Sequence, residues 1–334
     1  MSTIEETKEP TTMAATLENG GEGEEQQQDK ITMLSFATRL LSHHHRVSLL
    51  RRILSFHETK SPKDYINLRS SSKSLRNALR PPPLWTSFPC SNHATLQSLV
   101  DRLEELRGDE ESSGNVPSVL FIEEGEYSAE DCAEGEYVRV KKPLSIIGAG
   151  RGKTTLVGFG LLIKGKKSNG IVEIGDLTIK GATRNGLVAY DGMNVRMSGV
   201  SIEACQEKGV HSSDADISCD DLQVVGCGMS GVSAYINATI TITLSGEGTS
   251  IQGNVTNGES CFFNPESAYG LYAYFNSNFN SSGIYSNIHL VHPLTKEQIS
   301  NNNGGGGNWG GHGKIVQVDN DGVVLHILYE GEDF

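Results

Sequence analysis

Three stretches hold residue types that could do chemistry. "LSIIGAGRGKTTLVG", residues 144–158, has the glycines and the Gly-Lys-Thr of a phosphate-cradling loop. Asp220-Asp221 and Gly311-His312-Gly313 offer carboxylates and an imidazole, groups suited to acid–base hydrolysis. "HSSDADISCDD", residues 211–221, gathers Asp214, Asp216, Asp220 and Asp221, oxygen donors of the kind a hard divalent cation takes.

Spacing argues against all three. A phosphate loop reads G-x-x-x-x-G-K-[ST], and counting back from Gly152-Lys153-Thr154 its first glycine falls on Ile147. A helix should follow, yet Thr155-Leu156-Val157 and Leu161-Leu162-Ile163 are strand-like. Asp221 and His312 lie 91 residues apart, and His312 sits in a glycine-rich run. Asp221 is expected to be a turn residue bonding its own backbone. Asp214 and Asp216 flank a single turn, so the acidic cluster reads as a solvated corner. His43-His44-His45 reads as a polar approach to a helix. The expectation is therefore no catalytic residue, no cofactor and no metal site.

Aromatic residues give a fourth candidate. In "CFFNPESAYGLYAYFNSNFNSSGIYSN", residues 261–287, Tyr272, Tyr274 and Phe275 stand among asparagines, as a glycan or peptide face would have them. The same pattern fits aromatics that fill a core while asparagines stack in turns.

Three segments show what must position these groups: "GDLTIKGATRNGLVAY" from Gly175, "SGVSIEACQEKGVHSS" from Ser198 and "DDLQVVGCGMSGVSAY" from Asp220. Leu177, Val200 and Leu222 recur at steps of 23 and 22 residues, as do Gly186, Gly209 and Gly231. Each period carries short strands, which predicts a parallel β-solenoid of about 22-residue coils. Stacked coils pair their backbones and bury a continuous apolar edge. The repeating glycines are expected at corners where φ is positive.

"PSVLFIEEGEYSAEDCAEGEYVRVKKPLSIIGAGRGKTTLVGFGLLIKG" resembles the first coils of right-handed parallel β-helices of the pectate-lyase-like superfamily. The resemblance rests on Gly125-Glu126-Tyr127 and on the run from Ile146 to Gly158, and it implies a mainly β, right-handed parallel β-helix. Polygalacturonases of that fold use an Asp-Asp and a Gly-His-Gly about one coil apart. The spacing here departs from that, and the family's Asn-Thr-Asp and Arg-Ile-Lys runs are absent.

Charge divides the chain. Residues 1–30 carry two lysines and eight acids, residues 31–89 ten basic residues and two acids, and the whole chain −13. The expected organisation is an acidic disordered tail (1–30), a basic helical module (31–92), a capping helix and linker (93–116), the β-helix (117–298), a glycine-rich loop (299–313) and a terminal hairpin (314–334). An acidic body argues against nucleic acid. No apolar run reaches membrane-span length, and the N-terminus lacks the pattern of a secretory signal. The six cysteines show no metal spacing and read as free buried thiols.

In "RVSLLRRILSFHETKSPKDYINLRSSSKSLRNALRPPPLWTSF", Leu49, Leu50, Ile53 and Leu54 share a helical face, and Pro83-Leu84-Trp85 closes the module. The stretch resembles an F-box, with His45 and Arg46 where that family has Leu-Pro. The resemblance implies a Skp1-like adaptor of a cullin-type ubiquitin ligase as partner, met by Leu49, Leu50, Ile53, Leu54, Leu84 and Trp85. It also implies an unidentified protein or glycan ligand for the β-helix and a cytoplasmic or nuclear location. The leading expectation is a non-enzymatic substrate-recognition subunit. The alternatives are a carbohydrate-active enzyme, of pectate lyase or polygalacturonase type, and a purely structural solenoid.

Overall fold

Successive coils of this chain stack in register. Leu187 pairs with Val210 and Val210 with Val232, at steps of 23 and 22 residues, and the pairing is parallel. The computed structural model describes residues 85–107, 116–132, 135–244, 248–256, 268–274 and 285–331. All of them belong to one of two units, the one holding residues 81–334. Leu49, Leu50, Ile53, Leu54, Leu84 and Phe275 lie outside the described residues, as does the rest of the expected acidic tail and basic module up to residue 84.

The described chain is a parallel β-solenoid of about seven turns. Its strands form two walls, one of fifteen strands and one of seven among the described residues. In a regular coil the chain crosses the larger wall twice, kinks between, and then crosses the smaller wall. Ile171–Gly175 and Thr178–Lys180 are the first two crossings and Leu187–Tyr190 the third. Alternation decides the core. Leu187, Val210, Val232 and Leu271 are fully buried and stack inward, as do Ile179, Ile202 and Val224 from the opposite wall.

Left-handed backbone does occur at the corners, but not at the repeating glycines. Gly181, Ala204 and Gly226 take φ of +62°, +51° and +68° at one corner, and Asp191 and Asp214 take +60° and +53° at another. Gly186, Gly209 and Gly231 are needed for closeness instead. A Cβ there would lie 2.4 Å from Ile202 Cγ2, 2.3 Å from Val224 Cγ1 and 2.5 Å from Ile251 Cγ2. Only a residue without a side chain lets the backbone come so near the opposite wall.

Trp85 corrects one expectation. It does not close a helical module; it begins strand Trp85–Phe88, which pairs in parallel with Val119–Ile122 as a rung of the larger wall. Its partner is 34 residues away, beyond the reach of local pattern. Helix Leu96–Leu106 follows, started by a capping box in which Thr95 and Ser98 bond each other's backbone N–H. Gln97 imitates a neighbouring strand: its carbonyl accepts from Arg139 N–H at 2.6 Å and its amide donates to Arg139 O at 3.1 Å. The Glu104 carboxylate accepts from the N–H groups of Lys141 and Lys142. The helix thus closes the first edge of the smaller wall.

The glycine-rich stretch after residue 299 is more regular than a loop. Ser300–Asn301 and Trp309–Gly310 each pair with the preceding coil. Side chains bind what the short rungs leave open: Asn303 donates to Ile251 O and Asn301 O, and accepts from Asn254 N–H. Strands Lys314–Val318 and Val324–Glu330 then form an antiparallel hairpin with two register shifts.

Candidate functional site

The alternation that packs Leu187, Val210, Val232 and Leu271 into the core sets their neighbours on the other side of the strands, where they too are buried. Val188, His211, Ser233 and Tyr272 are in register on consecutive rungs of the smaller wall. Two residues further along each strand, Tyr190, Ser213 and Tyr235 form a second column. Tyr274 extends it, donating its N–H to Ala234 O. Tyr272 therefore stands on the outer side, while Leu271 and Ala273 beside it belong to the core.

Together these rings make a ladder along the solenoid axis. Centroids lie 5.9 Å apart for Tyr190 and His211, 5.1 Å for His211 and Tyr235, and 4.6 Å for the stacked pair Tyr235 and Tyr274. Tyr272 meets Tyr235 edge-on at 5.5 Å and stacks on Tyr269 at 5.6 Å. His312 ends the series, 6.3 Å from Tyr274. Edge-on and offset contacts suit the negative face and positive edge of each ring. Tyr190, Tyr235, Tyr269, Tyr274 and His312 keep part of their surface exposed.

Burial disfavours charge on Tyr190, His211, Tyr235 and Tyr272. It pushes the Tyr235 hydroxyl up to about 12 and raises those of Tyr190 and Tyr272. Burial, and then the nearby Lys208 ammonium, hold the His211 imidazole well below its ordinary value. The His211 ring nitrogen Nδ1 shares a 2.9 Å hydrogen bond with Ser233 Oγ.

Charged residues border the ladder on both sides. At the start of the strands, Arg184 Nε donates to Glu207 Oε1 at 3.1 Å, and Asn185 Nδ2 to Glu207 Oε2 at 2.9 Å. Asn185 also donates to the Tyr137 hydroxyl, and Arg184 reaches Glu136 at 3.6 Å. Lys208 lays its ammonium 4.3 Å from the Tyr235 ring centre. At the other side Lys164 pairs with Asp191, which directly follows Tyr190.

The remaining sequence candidates have other places. Thr154 of the glycine-rich run is fully buried, its hydroxyl accepting from Ala149 N–H and lying 2.9 Å from Glu123 O. Asp221 takes φ +51° at the kink of the larger wall, and its carboxylate meets Arg151 at 3.1 Å instead of its own backbone. Asp220 belongs to the larger wall, where Thr243 Oγ1 donates to it, whereas His312 adjoins the smaller one. Asp216 pairs with Lys167 at 2.6 Å. Among the described residues no group of three or more histidines, cysteines or acids could hold a metal ion, and no helix is long and apolar enough to cross a membrane. The five described cysteines are free.

Tyr190, His211 and Tyr235 were missed as site residues, although the aligned "GLVAY", "GVHSS" and "GVSAY" already set them on alternate positions of successive coils.

No family model matches the chain, and no curated protein matches it. Among solved structures it is similar to the catalytic domain of a GH87 α-1,3-glucanase variant in complex with tetrasaccharides. Identity is 15%, over 70% of this chain and 40% of that one, with a TM-score of 0.29. It is also similar to the catalytic domain of a GH87 α-1,3-glucanase in complex with nigerose, at 15% identity over 64% and 46% and a TM-score of 0.27. The chain spans less than half the length of either, and likeness at this level assigns no residue a role. The expectation of a non-enzymatic ubiquitin-ligase subunit is nevertheless corrected. No family model or curated relative matches an F-box, and the described end of that module is a solenoid strand.

Proposed function

We propose that the protein is carbohydrate-active and holds a glycan chain along the outer side of its smaller wall. The partly exposed rings of the ladder, Tyr190, Tyr235, Tyr274 and His312, carry this reading, with His211 buried between them. Sugar rings present C–H groups that can pack on the aromatic surface the ladder leaves exposed, while their hydroxyls need polar groups beside it. Glu207, Arg184 and Asn185 supply such groups on one side, and Lys164 with Asp191 on the other. Rungs repeat at about 4.8 Å, close to the length of one sugar unit, so neighbouring rings would meet neighbouring sugars.

Glycosidic bond hydrolysis is the reaction we assign, with Glu207 and Glu136, the two carboxylates that flank Arg184, as the candidate pair: one activates water and the other protonates the leaving oxygen. Arg184 and Asn185 fix both oxygens of Glu207 beside the ladder. The test is affinity electrophoresis and reducing-sugar release on a panel including α-1,3-glucan, pectin and polygalacturonate. At least one polysaccharide should retard the full chain, and Tyr190→Ala or Tyr274→Ala should abolish the retardation. Glu207→Gln should bind as before and release no reducing ends. Absence of retardation on the whole panel, or retardation indifferent to both tyrosines, would defeat the proposal.

A further inference from the structure

Among the described residues strand Val324–Glu330 is the last rung of the larger wall and pairs on one edge only, with Lys314–Val318. No described strand pairs with its other edge. Its side chains are bare as well: Val323, Val324, Leu325 and Ile327 expose 59, 53, 43 and 55% of their surface. Edge strands in soluble proteins are ordinarily kept short, interrupted by proline or guarded by lysine. This one is seven residues long and contains neither. It is anchored from below, since Leu328 and Tyr329 pack on the core and the Tyr329 hydroxyl donates to Gly311 O at 2.9 Å.

The turn that leads into the strand is acidic, carrying Asp319 and Asp321. Glu330 is met by Lys314 at 2.5 Å. Asp319 ties down the turn by accepting from the N–H groups of Asp321 and Val323, which leaves its carboxylate beside the strand's start.

We infer that strand Val324–Glu330 is a docking edge for an extended partner segment that alternates apolar residues with polar ones and carries basic residues at its ends. Such a segment pairs with the open backbone edge, sets its apolar side chains against Leu325 and Ile327, which share one face of the strand, and meets the carboxylates of Asp319 and Asp321 with its own cations. A second copy of this chain fits less well. The strand it would offer has no lysine or arginine to meet the carboxylates of the turn.

The probe is a fluorescent ten-residue peptide of alternating valine and threonine with two lysines at each end, compared with a glutamate-ended version by anisotropy on the full chain. The lysine-ended peptide should bind at least about tenfold tighter, and added salt should narrow the difference. Leu325→Asp with Ile327→Asp should weaken it by about tenfold or more. Asp321→Lys, which leaves the strand itself untouched, should remove most of the preference between the peptides. The inference is overturned if the lysine-ended peptide fails to bind or both bind alike. It is overturned also if the unliganded chain dimerises and the double variant dissolves the dimer, since the occupant is then a second copy.

Discussion

The two ends of the solenoid solve one problem in opposite ways. A stack of coils has unpaired backbone and uncovered apolar surface at each end. At the start of the smaller wall, helix Leu96–Leu106 buries Leu96, Leu99, Val100 and Leu103, and its Gln97 and Glu104 take the backbone groups that no strand reaches. At the end of the larger wall the hairpin tucks in Leu328 and Tyr329 and leaves the middle of its outer strand bare. A stack needs closure where it must be stable, and it tolerates an open edge where a folded rung already lies beneath.

Substitutions at the closed end should therefore cost most. Leu96 is fully buried, and Leu96→Ala should destabilise the solenoid by about 2–5 kcal/mol, read from denaturant unfolding. A cost below half the lower figure would mean the helix is a decoration and not a seal. Gln97→Met keeps the volume but strands the N–H and C=O of Arg139, and should cost about 1–3 kcal/mol. Hydrogen exchange sharpens the same contrast. The amides of Arg139 and Lys141, held by side chains of the helix, should exchange far more slowly than the outward-facing amides of Val324–Ile327. Equal rates would show the two ends to be equally open.

How much of this was legible in the sequence follows from the same physics. Leu177, Val200 and Leu222 announced the coils because inward positions repeat at every turn and tolerate only apolar residues. The repeating glycines were visible too, but their reason was not: contact with Ile202, Val224 and Ile251 is tertiary, and no local pattern records it. Past Tyr235 the repeat fades, because Val232 pairs next with Leu271, 39 residues on. That is why Tyr272 and Tyr274 stood out only as an aromatic cluster, detached from Tyr190 and His211. Trp85 was misplaced for a related reason: after Pro81-Pro82-Pro83 it resembled the close of a helical module, and its strand partner at Val119 is remote in sequence.

The smallest expected effect lies at the open end, and it is the most discriminating. Ile327→Thr replaces the ethyl arm of the side chain with a hydroxyl at a position that is 55% exposed. An isoleucine that helped to hold the hairpin would lose transfer free energy on this change, and one buried against a covering element would lose more through the cavity left behind. An isoleucine in water loses almost nothing, and threonine keeps the β-branched shape that the strand prefers. The change in unfolding free energy should thus stay within about 0.5 kcal/mol. A loss several times larger would show that Ile327 is covered by the chain itself in solution, and the contrast between a sealed beginning and an open end would have to be given up.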